Sequence, residues 1–213
     1  SLERAPLVGL LRTAPLRLVL AVLTFLGNNA VGYIFLAFMT AYGTSQLGIE
    51  RNVMLQMLLV GCVSWFVTMI LFARLSDRIG RRRTYLIGYG ILIAWAVPFF
   101  ALLNTAQPLL VGLAVVVLTF GLAATYGPQA ALFAELFPAP VRTSGVSLSY
   151  AIGACIGGGF SPLIATALLG ATGTVFAVSA FMIALCVVSS IATIALGRYR
   201  SSFPSADGSH ARL

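Results

Sequence analysis

From Thr84 to Ala134, and again from Thr143 to Gly197, the chain carries no charged side chain. A membrane helix needs about 20 apolar residues, so each stretch is long enough to enter lipid, turn and return. Breakers sit where those turns are needed, at Asn104–Pro108 and Gly170–Gly173. Two more uncharged runs precede them, with a turn expected over Gly43–Gly48, and Pro138–Pro140 separates the two long stretches. Six spans result: Leu18–Tyr42, Val53–Phe72, Thr84–Leu103, Leu109–Ala134, Val146–Leu169 and Val175–Leu196.

Between the second and third runs stands the block Ala73 to Arg83, which holds Arg74, Arg78, Arg81, Arg82 and Arg83. One arginine at the bilayer centre costs about 2.5 to 3.5 kcal/mol, so the block must mark a membrane edge and reads as an aqueous loop. If six helices alternate, every arginine except Arg51 falls on one face. By the positive-inside tendency that face, with both ends of the segment, is expected in the cytoplasm. Residues 1–17 then form a cytoplasmic lead-in, 18–197 a six-helix unit and 198–213 a disordered cytoplasmic tail that includes His210.

Composition narrows the function classes. Charged residues make up 8% of the chain, against about 25% in soluble domains. The formal charge of +8 is carried by arginine alone and reports leaflet orientation, so nucleic acid is not an expected partner. No Asp, Glu, His, Lys or Arg falls near the middle of a span, which disfavours an intramembrane enzyme and leaves this segment without a proton carrier in its core. Cys62, Cys155 and Cys186 lack ligand spacing and read as small buried hydrophobes; no metal or cofactor is expected. The opening at Ser1, with Glu3 and Arg4 before the first run, is unlike a secretory signal and suggests a piece of a longer chain.

Two motifs carry a resemblance. Asp77-Arg78-Ile79-Gly80-Arg81-Arg82 resembles the G-x-x-x-D-[RK]-x-G-[RK]-[RK] loop of the major facilitator superfamily, with Ala73 where the first glycine belongs. Ala134-Glu135-Leu136-Phe137-Pro138-Ala139-Pro140-Val141-Arg142, continuing to Tyr150, is similar to the loop between helices ten and eleven of its metabolite:proton symporter family. The resemblance implies an all-α membrane protein: two inverted three-helix repeats forming the carboxy-terminal half, helices seven to twelve, of a twelve-helix fold. It implies secondary active transport of a small polar metabolite or organic acid, proton-coupled, by alternating access. The implied partners are the lipid bilayer, the amino-terminal six-helix half, a small-molecule substrate and a proton. The alternative is a six-helix channel or a non-transporting assembly subunit, in which the arginines serve orientation only.

Within that frame Asp77, Arg78, Gly80, Arg81, Glu135 and Arg142 are expected at a cytoplasmic gate, with Glu135 and Arg142 placed to pair with Arg78 or Arg81. Solvated orientation markers are the bland alternative. Ala73 implies a slightly looser helix contact than glycine would give. Asn28, Asn29, Tyr33, Trp65, Tyr126, Gln129 and Tyr150 are candidates for the substrate path, against interhelical hydrogen bonds, core packing or an interfacial belt. Asn28 and Asn29, about 100° apart on a helix, cannot face the same way. Gly127-Pro128 in the fourth run, and Gly157, Gly158 and Pro162 in the fifth, are expected as hinges; the fifth-run glycines also suit close packing against the other half.

Overall fold

The structure is a computed structural model and describes residues 15–137 and 141–201, with side chains placed through Gly197. Six membrane-length helices account for almost all of it: α1 Pro15–Ser45, α2 Arg51–Ile79, α3 Arg81–Leu103, α4 Pro108–Ala134, α5 Arg142–Thr172 and α6 Phe176–Ser201. There is no strand among the described residues. The protein is an all-α integral membrane protein.

The arginine block is not a loop. α2 stays helical through Ile79, seven residues past the expected end at Phe72, and α3 begins at Arg81. Charge removes a helix from lipid but does not unwind it. Gly80 alone makes the turn, at φ +98°, a conformation closed to residues with a Cβ. The motif glycine therefore has a backbone reason, and the surrounding arginines are helix termini projecting from one membrane edge.

Other boundaries shift for similar reasons. Gly43 lies inside α1 against Met54 rather than in the turn, which Gly48 makes at φ +67°. Gly170 stays within α5, whose end is set by Gly173 in the left-handed region, with its N–H on the Leu169 carbonyl. Helix α6 continues past residue 197 to Ser201. Residues 1–14, Pro138–Pro140, and 202–213 with His210 lie outside the described residues.

Three helices are irregular. In α1 the segment Ile34–Phe38 is π-helical, as is Ala154–Gly159 in α5. Helix α4 breaks at Gly127–Pro128 and resumes at Gln129. The third of these follows from proline, which has no N–H to donate and crowds the preceding turn.

Packing obeys a two-fold rule. Helix α1 packs on α5 and α6; its counterpart α4 packs on α2 and α3; and α3 packs on α6. Exchanging α1–α3 with α4–α6 reproduces the same pairings, the mark of two inverted three-helix repeats. The leading helices are the best covered, with 67% of the apolar stretch of α1 and 56% of that of α4 buried. Only 11% of α2 and 28% of α5 are buried, so these two present the bare faces. Where helices do meet, small residues allow it: Gly27 of α1 sits over Leu185, Cys186 and Ser189 of α6, and its N–H donates to Ser189 Oγ at 2.9 Å.

Candidate functional site

Two regions stand out, a largely apolar cleft with a few polar groups at mid-depth and a charged hollow at the arginine-rich edge. The first is a cleft of about 450 Å³ walled by α1, α2 and α4. Asn28, Asn29, Gly32, Tyr33, Cys62, Trp65 and Tyr126 contribute to it. Asn29 and Trp65 are near the midpoints of their helices, and Tyr33, Phe66 and Tyr126 are exposed. The Trp65 ring meets Tyr126 edge-on at 5.9 Å and Phe35 at 6.4 Å, building an aromatic wall. Trp65 Nε1 is buried without a hydrogen-bond partner among the described residues. Cys62 is half-buried on this wall, Cys186 is buried, and Cys155 is exposed on α5, correcting its reading as a buried hydrophobe.

Five of the seven expected path residues thus come together, and the two asparagines, both bordering the cleft, bond to different helices. Asn29 is partly buried and donates from Nδ2 to the Gly153 carbonyl of α5 at 3.2 Å, next to the π segment. Asn28 is 2% exposed and turned to α4: its Oδ1 accepts from Thr125 at 2.8 Å and its Nδ2 donates to Gln129 Oε1 at 3.3 Å. Gln129 and Tyr150 do not reach the cleft wall. Gln129 is buried behind it, and Tyr150 packs between Phe25 and Phe133.

The interior behind the cleft holds residues that sequence reasoning passed over. Tyr85 and Tyr89 of α3 are fully buried; the Tyr89 hydroxyl donates to the Thr24 carbonyl, and the single proton of the Tyr85 hydroxyl is shared between that carbonyl at 3.5 Å and Gln129 Oε1 at 3.4 Å. The Tyr89 hydroxyl in turn accepts from the Asn28 N–H at 3.2 Å. Their spacing of four in an otherwise apolar run was the available signal, because it aims two hydroxyls at one neighbour.

At the edge, Arg81 reaches Glu135 Oε1 at 2.6 Å and Asp77 at 3.8 Å, tying the α2–α3 junction to the end of α4. The Arg81 and Glu135 side chains are each about one-third exposed, at 33% and 32%, while that of Asp77 is 69% exposed. Arg82 donates to the Ile194 carbonyl at 2.9 Å and lies over Gly197 of α6. Arg17 donates to the Leu136 carbonyl at 3.1 Å. Arg142 turns to the Phe137 carbonyl at 3.3 Å instead of to a carboxylate, and Arg78 is exposed. Of the expected pairings, Arg81 with Glu135 is the one present. A hollow of about 490 Å³ opens among Asp77, Arg81–Arg83, Leu132 and Glu135.

Glycines at the expected hinges are contact points. A Cβ on Gly127 would lie 3.0 Å from Ala73 N and from Met69 O, so α4 abuts the backbone of α2 beside Ala73. The looser contact expected from Ala73 is not found, because the opposing helix supplies the missing small residue. Within this chain Gly157 and Gly158 bring α5 against Leu26, Asn29 and Tyr33 of α1. Pro162 follows in the same helix, half-buried.

Among the described residues no group of His, Cys, Asp or Glu is placed to hold a metal. The sequence pattern of the Major Facilitator Superfamily matches residues 2–162. The chain is 35% identical over 166 residues to a shikimate transporter of Escherichia coli, covering 76% of this chain and 37% of that protein. It is 33% identical over 184 residues to the inner membrane metabolite transport protein YhjE of the same organism, covering 81% and 42%. It is 31% identical over 142 residues to a citrate-proton symporter of Klebsiella pneumoniae, covering 66% and 32%. The chain therefore spans about two-fifths or less of the length of these relatives. A pattern matched over most of the sequence, on a bundle of two inverted repeats, places this chain in the major facilitator superfamily, in its metabolite:proton symporter family.

Proposed function

We propose that the chain is the carboxy-terminal half of a secondary transporter that moves a small polar metabolite or organic acid across a bacterial inner membrane by alternating access. The reading is carried by the mid-depth cleft. It combines an amide and aromatic walls on α1, α2 and α4, and it lies beside the bare α2 in a bundle whose α5 is also uncovered. An amino-terminal six-helix half covering those faces would close the fourth side and place substrate near the membrane midplane. The relatives' names give the substrate class to test first, hydroxylated cyclic and tricarboxylic acids.

Orientation follows from charge. The arginine edge and both ends of the segment face the cytoplasm, where the Arg81–Glu135 pair and Asp77 act in a gate between inward-closed and inward-open forms. Proton coupling uses ionisable groups from the other half, since the middle of these spans offers none.

The test is uptake by the full-length protein in membrane vesicles. Labelled shikimate and citrate should enter saturably, be accelerated by unlabelled substrate on the far side, and accumulate less after a protonophore. Non-saturating flux of both, or ohmic single-channel currents, would overturn the carrier in favour of the channel reading.

A further inference from the structure

The amide of Asn28 bridges the break in α4. Thr125 is the last buried residue before the interruption and Gln129 the first after it. Asn28 bonds to both, accepting from Thr125 at 2.8 Å and donating to Gln129 at 3.3 Å. Between them stand Tyr126, Gly127 and Pro128. Proline contributes no N–H, so the segment 129–134 is joined to the rest of α4 with a gap in its backbone ladder. The Asn28 side chain, from another helix, ties the two segments together through their own side chains, Thr125 Oγ1 on one and Gln129 Oε1 on the other. A carboxamide suits the task because it carries a donor and an acceptor on one fork and can serve both segments at once.

Tyr126 is the residue this arrangement aims. It is 40% exposed, lines the cleft and meets Trp65, whereas Asn28 is almost wholly enclosed and has its amide engaged by α4. We propose that Asn28 is a positioning residue, fixing the angle across the α4 break and thereby holding Tyr126 in the cleft wall, rather than a group that binds substrate. The assignment of Tyr126 to a substrate path rests on the transporter reading above; the clamp itself does not.

The test uses thiol reporters in otherwise cysteine-free, full-length protein in membrane vesicles, so that it reads structure without needing transport. One reporter is Tyr126→Cys; the other is the native Cys62, on the same cleft but on α2. Adding Asn28→Ala should change the N-ethylmaleimide reaction rate of the first by about fivefold or more and leave the second within about twofold. Thr125→Val, nearly isosteric, should reproduce the effect and serves if Asn28→Ala does not fold. The two together should do no more than either alone, because both cut one bridge. Equal changes at both reporters would mean general loosening and overturn the proposal. So would additive effects, or an unchanged rate at position 126. If neither substrate is taken up while the reporters respond as stated, the clamp stands and the transport reading falls.

Discussion

Replacing Gly127 by alanine sets two effects of opposite sign against each other. The residue has helical backbone angles, φ −55° and ψ −52°, so alanine gains at most about 1 kcal/mol in helix propensity, reduced by the crowding that the Pro128 ring imposes on a Cβ at the preceding position. Its Cβ, however, would arrive 3.0 Å from Ala73 N and from Met69 O on α2, and from Ala123 O on its own helix. Ordinary contacts to such atoms are several tenths of an ångström longer, and two of the three belong to a neighbouring backbone that moves only as a unit. Overpacking of this kind costs about 1 to 3 kcal/mol. Packing should win, for a net loss of about 1 kcal/mol with alanine and more with valine, which has less of the propensity gain and adds two methyl groups. Pushing α2 away also strains the Thr119–Ser64 hydrogen bond at 2.9 Å and the Trp65–Tyr126 contact. Unfolding of the full-length protein in detergent, followed by tryptophan fluorescence, measures the order Gly, Ala, Val. If the alanine variant is the more stable by the full propensity gain, the α2–α4 seam is not tight and the explanation given for Ala73 fails.

Three further outcomes follow from single contacts. Gly80→Ala meets no steric obstacle but must hold φ +98°, so it should lose about 1 to 3 kcal/mol in the same unfolding measurement, while a clash-driven account predicts no loss. Glu135→Gln removes a partly exposed ion pair at 2.6 Å, worth about 1 kcal/mol, and should slow uptake by the full-length carrier; Arg81→Glu with Glu135→Arg should restore it in part, and no rescue would place the effect elsewhere. Asn29→Ala removes both the bond to Gly153 and an amide from the cleft, so it should weaken apparent affinity for a transported acid, and unchanged kinetics would give Asn29 a structural role.

Hydropathy made the six helices legible because lipid imposes the same demand on every span: backbone groups satisfied within the segment and apolar side chains outside. The limits of that signal are physical too. It ends where charge begins, so it stopped α2 at Phe72, although Arg74, Leu75, Ser76 and Asp77 are as able to form a helix in water as in its absence. The π segment of α5 coincides with Gly157–Gly159, which drew attention to that helix. That of α1, Ile34–Phe38, contains neither glycine nor proline and left no trace in the sequence. For the site, polar types in apolar runs identified most of the cleft, since a buried amide or hydroxyl needs a partner. What they left open was direction. Asn28 and Asn29 are adjacent, chemically identical and both border the cleft, yet one bonds its amide to α4 and the other to α5; only the packing of α4 and α5 around α1 decides between them.

The inverted repeats add a prediction that neither motif contains. Each repeat opens with an α-helical stretch that ends at a tyrosine, Tyr33 in α1 and Tyr126 in α4, and each is followed at once by an irregularity. The two helices run in opposite directions across the bundle, so corresponding tyrosines fall toward opposite faces. Tyr33 therefore borders the cleft toward the face of Arg51 and Tyr126 toward the arginine-rich face, and both are exposed within it, at 43% and 40%. The breaks beyond them are built differently. The π segment after Tyr33 keeps its backbone paired, with Met39 N–H on the Ile34 carbonyl, whereas the break after Tyr126 contains Pro128 and is spanned by Asn28. Only the arginine-face break depends on a side chain from another helix. Thiols introduced by Tyr33→Cys and Tyr126→Cys should react with impermeant maleimide from opposite sides of the membrane, and Asn28→Ala should alter the second without altering the first. Equal reactivity from one side, or an equal response of both positions to Asn28→Ala, would refute the assignment of the two tyrosines to opposite ends of the cleft.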